Sequence, residues 1–75
     1  MFLQDALWQD QQRMSGAVCF RGTRIPVSIL FDYLEADKLH EFYQQYPDVS
    51  PNMVFAVLAA SRQLVEDEFP TKRSA

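Results

Sequence analysis

Pro47-Asp48-Val49-Ser50-Pro51-Asn52-Met53-Val54 closes one helix and opens another. Pro47 cannot continue a helix, and it turns the residue before it away from helical backbone. Ser50 is placed to cap the next helix, and Pro51 falls at its first position, where the missing N–H would have no partner anyway. Val49, one residue ahead of the cap, is expected to pack on Val54 as a hydrophobic staple. Val54, Val57, Leu58, Ser61, Leu64 and Val65 continue one face, so the spacing predicts a helix from about Pro51 to about Asp67 that stops before Pro70.

Upstream of this junction the same periodicity occurs twice more. Leu39, Phe42, Tyr43 and Tyr46 make one short amphipathic stretch, and Val27, Leu30, Phe31 and Leu34 make another directly after Pro26. Ser15-Gly16 is a turn signal, and the apolar run Ala17 to Phe20 after it suits a strand that must pair with a neighbour or another subunit. Residues 1–14 are glutamine-rich without clear periodicity and read as a lead-in, either a short helix or irregular. The expected fold is therefore mainly α. It is a three-helix, homeodomain-like helix-turn-helix preceded by a short β-strand or hairpin arm. The organisation is a lead-in over 1–14, one helical domain over 15–68 and a flexible tail over 69–75. Three-helix bundles with no nucleic-acid role produce the same pattern.

Composition narrows the function classes. With 48% hydrophobic and 13% aromatic residues in 75, the chain is a single globular domain with a small, aromatic core, for which self-association is a reasonable expectation. Its single cysteine, Cys19, forms no intramolecular disulfide, and the first residues lack a basic, apolar leader, so it reads as cytoplasmic. No apolar run approaches the roughly 20 residues that span a bilayer. The formal charge of -3 argues against a nonspecific nucleic-acid coat. The charge is uneven, however. Residues 1–27 hold three arginines against two aspartates, a net of +1, whereas residues 28–75 hold four basic and eight acidic side chains, a net of -4.

Catalytic chemistry finds little to stand on. The lone histidine, His40, falls on the polar side of its helical pattern, Cys19 sits in an apolar run, and no second Cys or His completes a metal set. Asp32, Glu35, Asp37 and Glu41 are spread over two helices and a turn and read as a solvated face. The chain is expected to be a non-enzyme with no catalytic residue, metal or cofactor.

Two cationic stretches remain. Arg21-Gly22-Thr23-Arg24-Ile25-Pro26-Val27 carries two guanidinium groups, which either grip a phosphate or groove edge or bond the domain's own carbonyls and carboxylates. Phe69-Pro70-Thr71-Lys72-Arg73 sets an apolar anchor before two cations, which suits an acidic cleft on a partner, although a frayed helix end reads the same way.

Residues 15–27, Ser15-Gly16-Ala17-Val18-Cys19-Phe20 followed by the arginine stretch, resemble the VapB-like antitoxin family known as domain of unknown function 433. Its members show a glycine, a short strand and then R-G-T-R-(I/V)-P-V. The resemblance continues through residues 30–34, through Phe42 to Pro47, which matches the family's F-x-x-x-(F/Y)-P, and through residues 54–58. One departure falls after the first main helix, where the family usually has glycine and this chain has Glu35-Ala36-Asp37-Lys38.

The resemblance implies an antitoxin of a type II toxin-antitoxin system. Such a protein would neutralise a PIN-like ribonuclease toxin and, as a homodimer, repress its own operon by binding operator DNA. PIN-like nucleases hold metal among carboxylates, so an inhibitor can cover that cleft with cations. Arg62, Phe69, Lys72 and Arg73 are the toxin-binding candidates. Arg21, Arg24, Asn52 and Phe55 are the DNA-binding candidates, the last two lying early on the third helix where a recognition helix meets bases. The rival from another class is a dimeric interaction or scaffold module that binds no DNA.

Overall fold

The computed structural model describes residues 1–12 and 16–70. Among them the order of elements is α1 (Leu3–Ala6), β1 (Leu7–Gln9), β2 (Val18–Phe20), α2 (Val27–Glu35), α3 (Leu39–Gln45) and α4 (Pro51–Glu68). The chain is mainly α, as expected, with a two-stranded antiparallel hairpin. Leu7 pairs with Phe20, Trp8 with Cys19 and Gln9 with Val18. The strand read at Ala17 to Phe20 thus finds its partner inside the chain. The helix count differs from the expected three, because the lead-in contributes the single-turn α1. Isolated, a turn of four residues would not persist in water. It forms here because it packs on α4.

Local sequence rules account for the helix boundaries. Pro26 sits at the N-cap of α2 with extended backbone. Ser50 Oγ accepts from the Met53 N–H at 3.3 Å at the start of α4, with Pro51 in the first position. Val49 and Val54 are both buried, as a staple requires. At the end of α2 the Asp37 N–H donates to Leu34 O at 3.0 Å and the Lys38 N–H to Tyr33 O at 2.8 Å. This pair of bonds is a Schellman cap, which places Asp37 in the left-handed region at φ 58°.

The core gathers Phe20, Leu30, Phe42, Val49, Val54 and Val57. Phe42 is its centre, with ring centroids of Tyr46 at 5.3 Å, Tyr33 at 5.6 Å, Tyr43 at 5.9 Å and Phe20 at 6.1 Å. Edge and tilted contacts of this kind add about 0.5–1.5 kcal/mol each beyond burial. The hairpin therefore joins the helical layer through Phe20, one residue before the arginine stretch.

α4 outruns this core. Its 18 residues extend about 27 Å. Its last fully buried side chain is Val57, whereas Leu64 is 72% exposed and Val65 60%. The radius of gyration of 14.2 Å exceeds the ~11 Å of a compact chain this long, consistent with a helix end that projects from the body.

Candidate partner-binding surfaces

The arginine stretch folds back on its own domain. Phe20 N–H donates to Ile25 O at 3.1 Å and Thr23 N–H to Phe20 O at 3.0 Å, closing a tight loop. Thr23 Oγ1 donates to Phe20 O at 2.8 Å and accepts from the Ile25 N–H at 3.0 Å. Gly22 supplies the positive φ of 78° that this turn needs. Trp8 Nε1 donates to Thr23 O at 2.7 Å, fastening the loop to β1. Sequence reading did not assign this role to Trp8. Its one signal was a polar N–H in an apolar segment that had to find an acceptor.

The two arginines divide. Arg21 Nη2 donates to Gln4 O at 2.7 Å, and its backbone N–H donates to Ala6 O at 2.7 Å. It thereby serves carbonyls of α1 that a single turn leaves without helical partners. Arg24 is exposed and has no hydrogen bond or ion pair among the described residues.

Asn52 and Phe55 stand exposed on the first half of α4 and share a shallow hollow with Met1, Ala56 and Ala59. Their neighbour there from the N-terminal segment is Met1. Arg62 Nε donates to Glu66 Oε1 at 2.7 Å in an exposed ion pair one turn apart. Such pairs contribute about 0.3–0.5 kcal/mol, so Arg62 is easily redirected. Phe69 is 73% exposed, and its N–H bonds to Val65 O at 3.1 Å, which continues the helical path by one residue. Lys72 and Arg73 lie outside the described residues. Arg62, Val65 and Phe69, spaced i, i+3 and i+7, therefore form one stripe on the projecting end of α4.

A second surface was not anticipated from sequence. Leu3, Leu7, Val18, Val27, Phe31 and Leu64 line an open apolar cleft of about 450 Å³ between the hairpin, α2 and α4. On α4 it continues through Val57, Ala60 and Ser61, a stripe about 100° around the helix from the one carrying Val65. Periodicity had assigned both Leu64 and Val65 to the helix's inward face, but only Leu64 lines the cleft, and Val65 stands on the other stripe. What it could not indicate is that the body ends before that face does.

The remaining chemical side chains are quiet. Cys19 is buried, and His40 is exposed with its Nε2 at 3.2 Å from Gln44 Nε2. Tyr33 has its phenol raised above the ordinary value by burial, then by Tyr46 and Glu41, and Tyr43 is raised by burial. Both belong to the ring cluster. No helix among the described residues is long and apolar enough to cross a membrane.

Neither curated proteins nor solved structures yield a match to this chain. Residues 9–59 match the family described as Protein of unknown function (DUF433), a span from β1 and the hairpin through α2 and α3 into the first half of α4. α1 and the projecting end of α4 fall outside it. With about two thirds of its length covered by that match, the chain belongs to the DUF433 family.

Proposed function

We propose that this protein is a binding module of the antitoxin type, which neutralises a PIN-like ribonuclease through the projecting end of α4. The observation that carries this reading is the uncovered stripe of Arg62, Val65 and Phe69 beyond the edge of the core. Exposed aliphatic and aromatic side chains on a helix that leaves its own body are suited to enter a groove on another protein. Val65 and Phe69 supply the anchor. Arg62, released from Glu66, and Lys72 and Arg73 beyond it supply cations to a cleft of carboxylates. The protein acts by occupancy, with no catalytic residue and no cofactor of its own.

Operator binding is the second part of the proposal. α3, the turn over residues 46–50 and α4 supply a helix, a turn and a helix, with Asn52 and Phe55 early on the second, which favours a homeodomain-like helix-turn-helix. Arg21 is committed to Gln4, so Arg24 is the arm's available cation. One cation on an acidic chain binds DNA weakly and with strong salt dependence, and a toxin complex that adds cations strengthens it. The competing reading, a scaffold that only dimerises, draws on that same internal bond of Arg21.

The proposal expects a PIN-like nuclease encoded beside this gene, and inhibition of its RNA cleavage is the test. Val65→Glu with Phe69→Ala is expected to abolish inhibition while the domain stays folded, and deletion of residues 69–75 to weaken it. Full inhibition by both variants would refute the toxin-binding role. A gel shift on the chain's own promoter that stays empty with and without the nuclease would remove the DNA role.

A further inference from the structure

The two outer edges of the hairpin are treated differently by the rest of the chain. On β2 the edge is covered, because Pro26 is bridged to Cys19 and the Phe20 N–H reaches Ile25 O at 3.1 Å. On β1 it is not. The Arg21 N–H donates to Ala6 O at 2.7 Å, so in this antiparallel register Ala6 and Trp8 turn their backbone groups towards β2, and Leu7 and Gln9 turn theirs outward. The Leu7 N–H is spent on Leu3 O, which closes α1. Leu7 C=O and both backbone groups of Gln9 have no partner among the described residues.

We infer that the outer edge of β1 takes an extended segment of another protein as a third strand. The groups on offer are one donor and two acceptors of the main chain at strand spacing, and the partner that matches such a row is another extended backbone. The face of the hairpin then specifies its side chains. Leu7 and Gln9 alternate with Trp8, so they share a face with their pairing partners Phe20 and Val18. Leu7 and Val18 on that face line the apolar cleft of about 450 Å³ and, with Leu3, also line an adjoining open hollow of about 330 Å³ that Gln4, Trp8 and Gln9 complete. Residues of an added strand opposite Leu7 and Gln9 turn their side chains to this same face, and the residue between them turns its side chain away. The segment that fits is therefore apolar at alternate positions, with main-chain bonds to Leu7 C=O, Gln9 N–H and Gln9 C=O. Most of this edge precedes residue 9, where the family match begins, so it is a feature of this chain's own N-terminal part. The inference does not depend on the antitoxin reading, because it uses neither the stripe of Arg62, Val65 and Phe69 nor Asn52 and Phe55.

Nuclear magnetic resonance titration of the full chain with an end-blocked peptide tests it. The probe alternates valine with threonine, carries a lysine at each end for solubility, and is compared with the same peptide N-methylated at every valine. The first peptide is expected to shift the Gln9 amide and the methyl groups of Leu3, Leu7 and Val18, and to slow exchange of the Gln9 N–H at least about tenfold at saturation. The methylated peptide has the same charge but cannot donate to the edge, and it should bind at least about tenfold more weakly. Gln9→Pro removes the outward N–H and should weaken binding by a similar factor. Gln9→Ala loses only the side-chain bond to Gly16 O and should bind as wild type does. Absence of binding at millimolar peptide, equal binding of the methylated peptide, or shifts centred on Val65 and Phe69 would each overturn the inference. So would a Gln9 N–H already protected in the free protein by a second copy seated on the edge.

Discussion

Replacing Arg21 and Arg24 one at a time by alanine separates the structural arginine from the available one. Arg21→Ala removes the 2.7 Å bond from Nη2 to Gln4 O and leaves the carbonyls of α1 to water. A bond from a charged donor is worth about 1.5–3 kcal/mol when enclosed, and exposure at this site reduces that to about 1 kcal/mol. For a domain of this size, 1 kcal/mol moves Tm by roughly 4–8 °C. Arg24→Ala loses no contact within the chain and should stay within about 0.5 kcal/mol. The melts are followed by circular dichroism in dilute solution, where self-association would not shift Tm. Only Arg21→Ala should melt early. If Arg24→Ala melted as early as Arg21→Ala, both cations would be internal fastenings, and Arg24 would no longer count as the arm's available cation.

Two further outcomes follow from local features. Asp37 stands at φ 58° in the cap of α2, where glycine is free of the side-chain penalty and a β-branched residue carries about 1–2 kcal/mol of it. Asp37→Gly should therefore raise Tm slightly, the gain trimmed by glycine's extra chain entropy, and Asp37→Val should lower it by several degrees. Equal melting of the two variants would count against the left-handed cap. The raised phenols of Tyr33 and Tyr43 set an alkaline limit. Because their folded values lie above the unfolded value of 10.0, their contribution is complete below pH 10 and is lost as pH climbs through the folded values. Thermal melts should hold steady up to about pH 10 and then decline, with a shallower decline in the Tyr33→Phe, Tyr43→Phe double variant. An identical decline in that variant would assign the alkaline loss to other groups.

What was legible in the sequence is what local rules decide. Ser50, Pro51 and Pro47 set the α3 to α4 junction through capping and proline sterics, and the spacing of Val27 to Leu34 and of Leu39 to Tyr46 fixed the faces that meet at Phe42. What was illegible depends on contacts distant in sequence. α1 is too short to be seen by periodicity and exists because α4 lies beneath it and Arg21 reaches back 17 residues to Gln4. The pairing of Leu7 with Phe20 is likewise a tertiary fact. The arginine stretch left two readings open because a guanidinium bonds a carbonyl as readily as a phosphate, and only the position of Gln4 decides for Arg21. The helix end was read correctly to within a residue, yet its exposure was not, since amphipathic spacing says which side faces inward and not how far the body extends.

The two stripes on α4 lead to an expectation about which of them inhibition needs. Leu64 and Val65 are adjacent in sequence and so about 100° apart around the helix. Helices in bundles touch neighbours at such angles without those neighbours colliding, because helix axes pack 8–10 Å apart. Under the proposed function, a nuclease on the Val65 and Phe69 side would therefore leave the Leu64 side free of contact. Leu64→Glu should accordingly keep nuclease inhibition, which Val65→Glu with Phe69→Ala should lose. Retained inhibition is the decisive half. If Leu64→Glu no longer inhibited the nuclease, the two faces would be one surface, and the division of α4 into two stripes would be refuted.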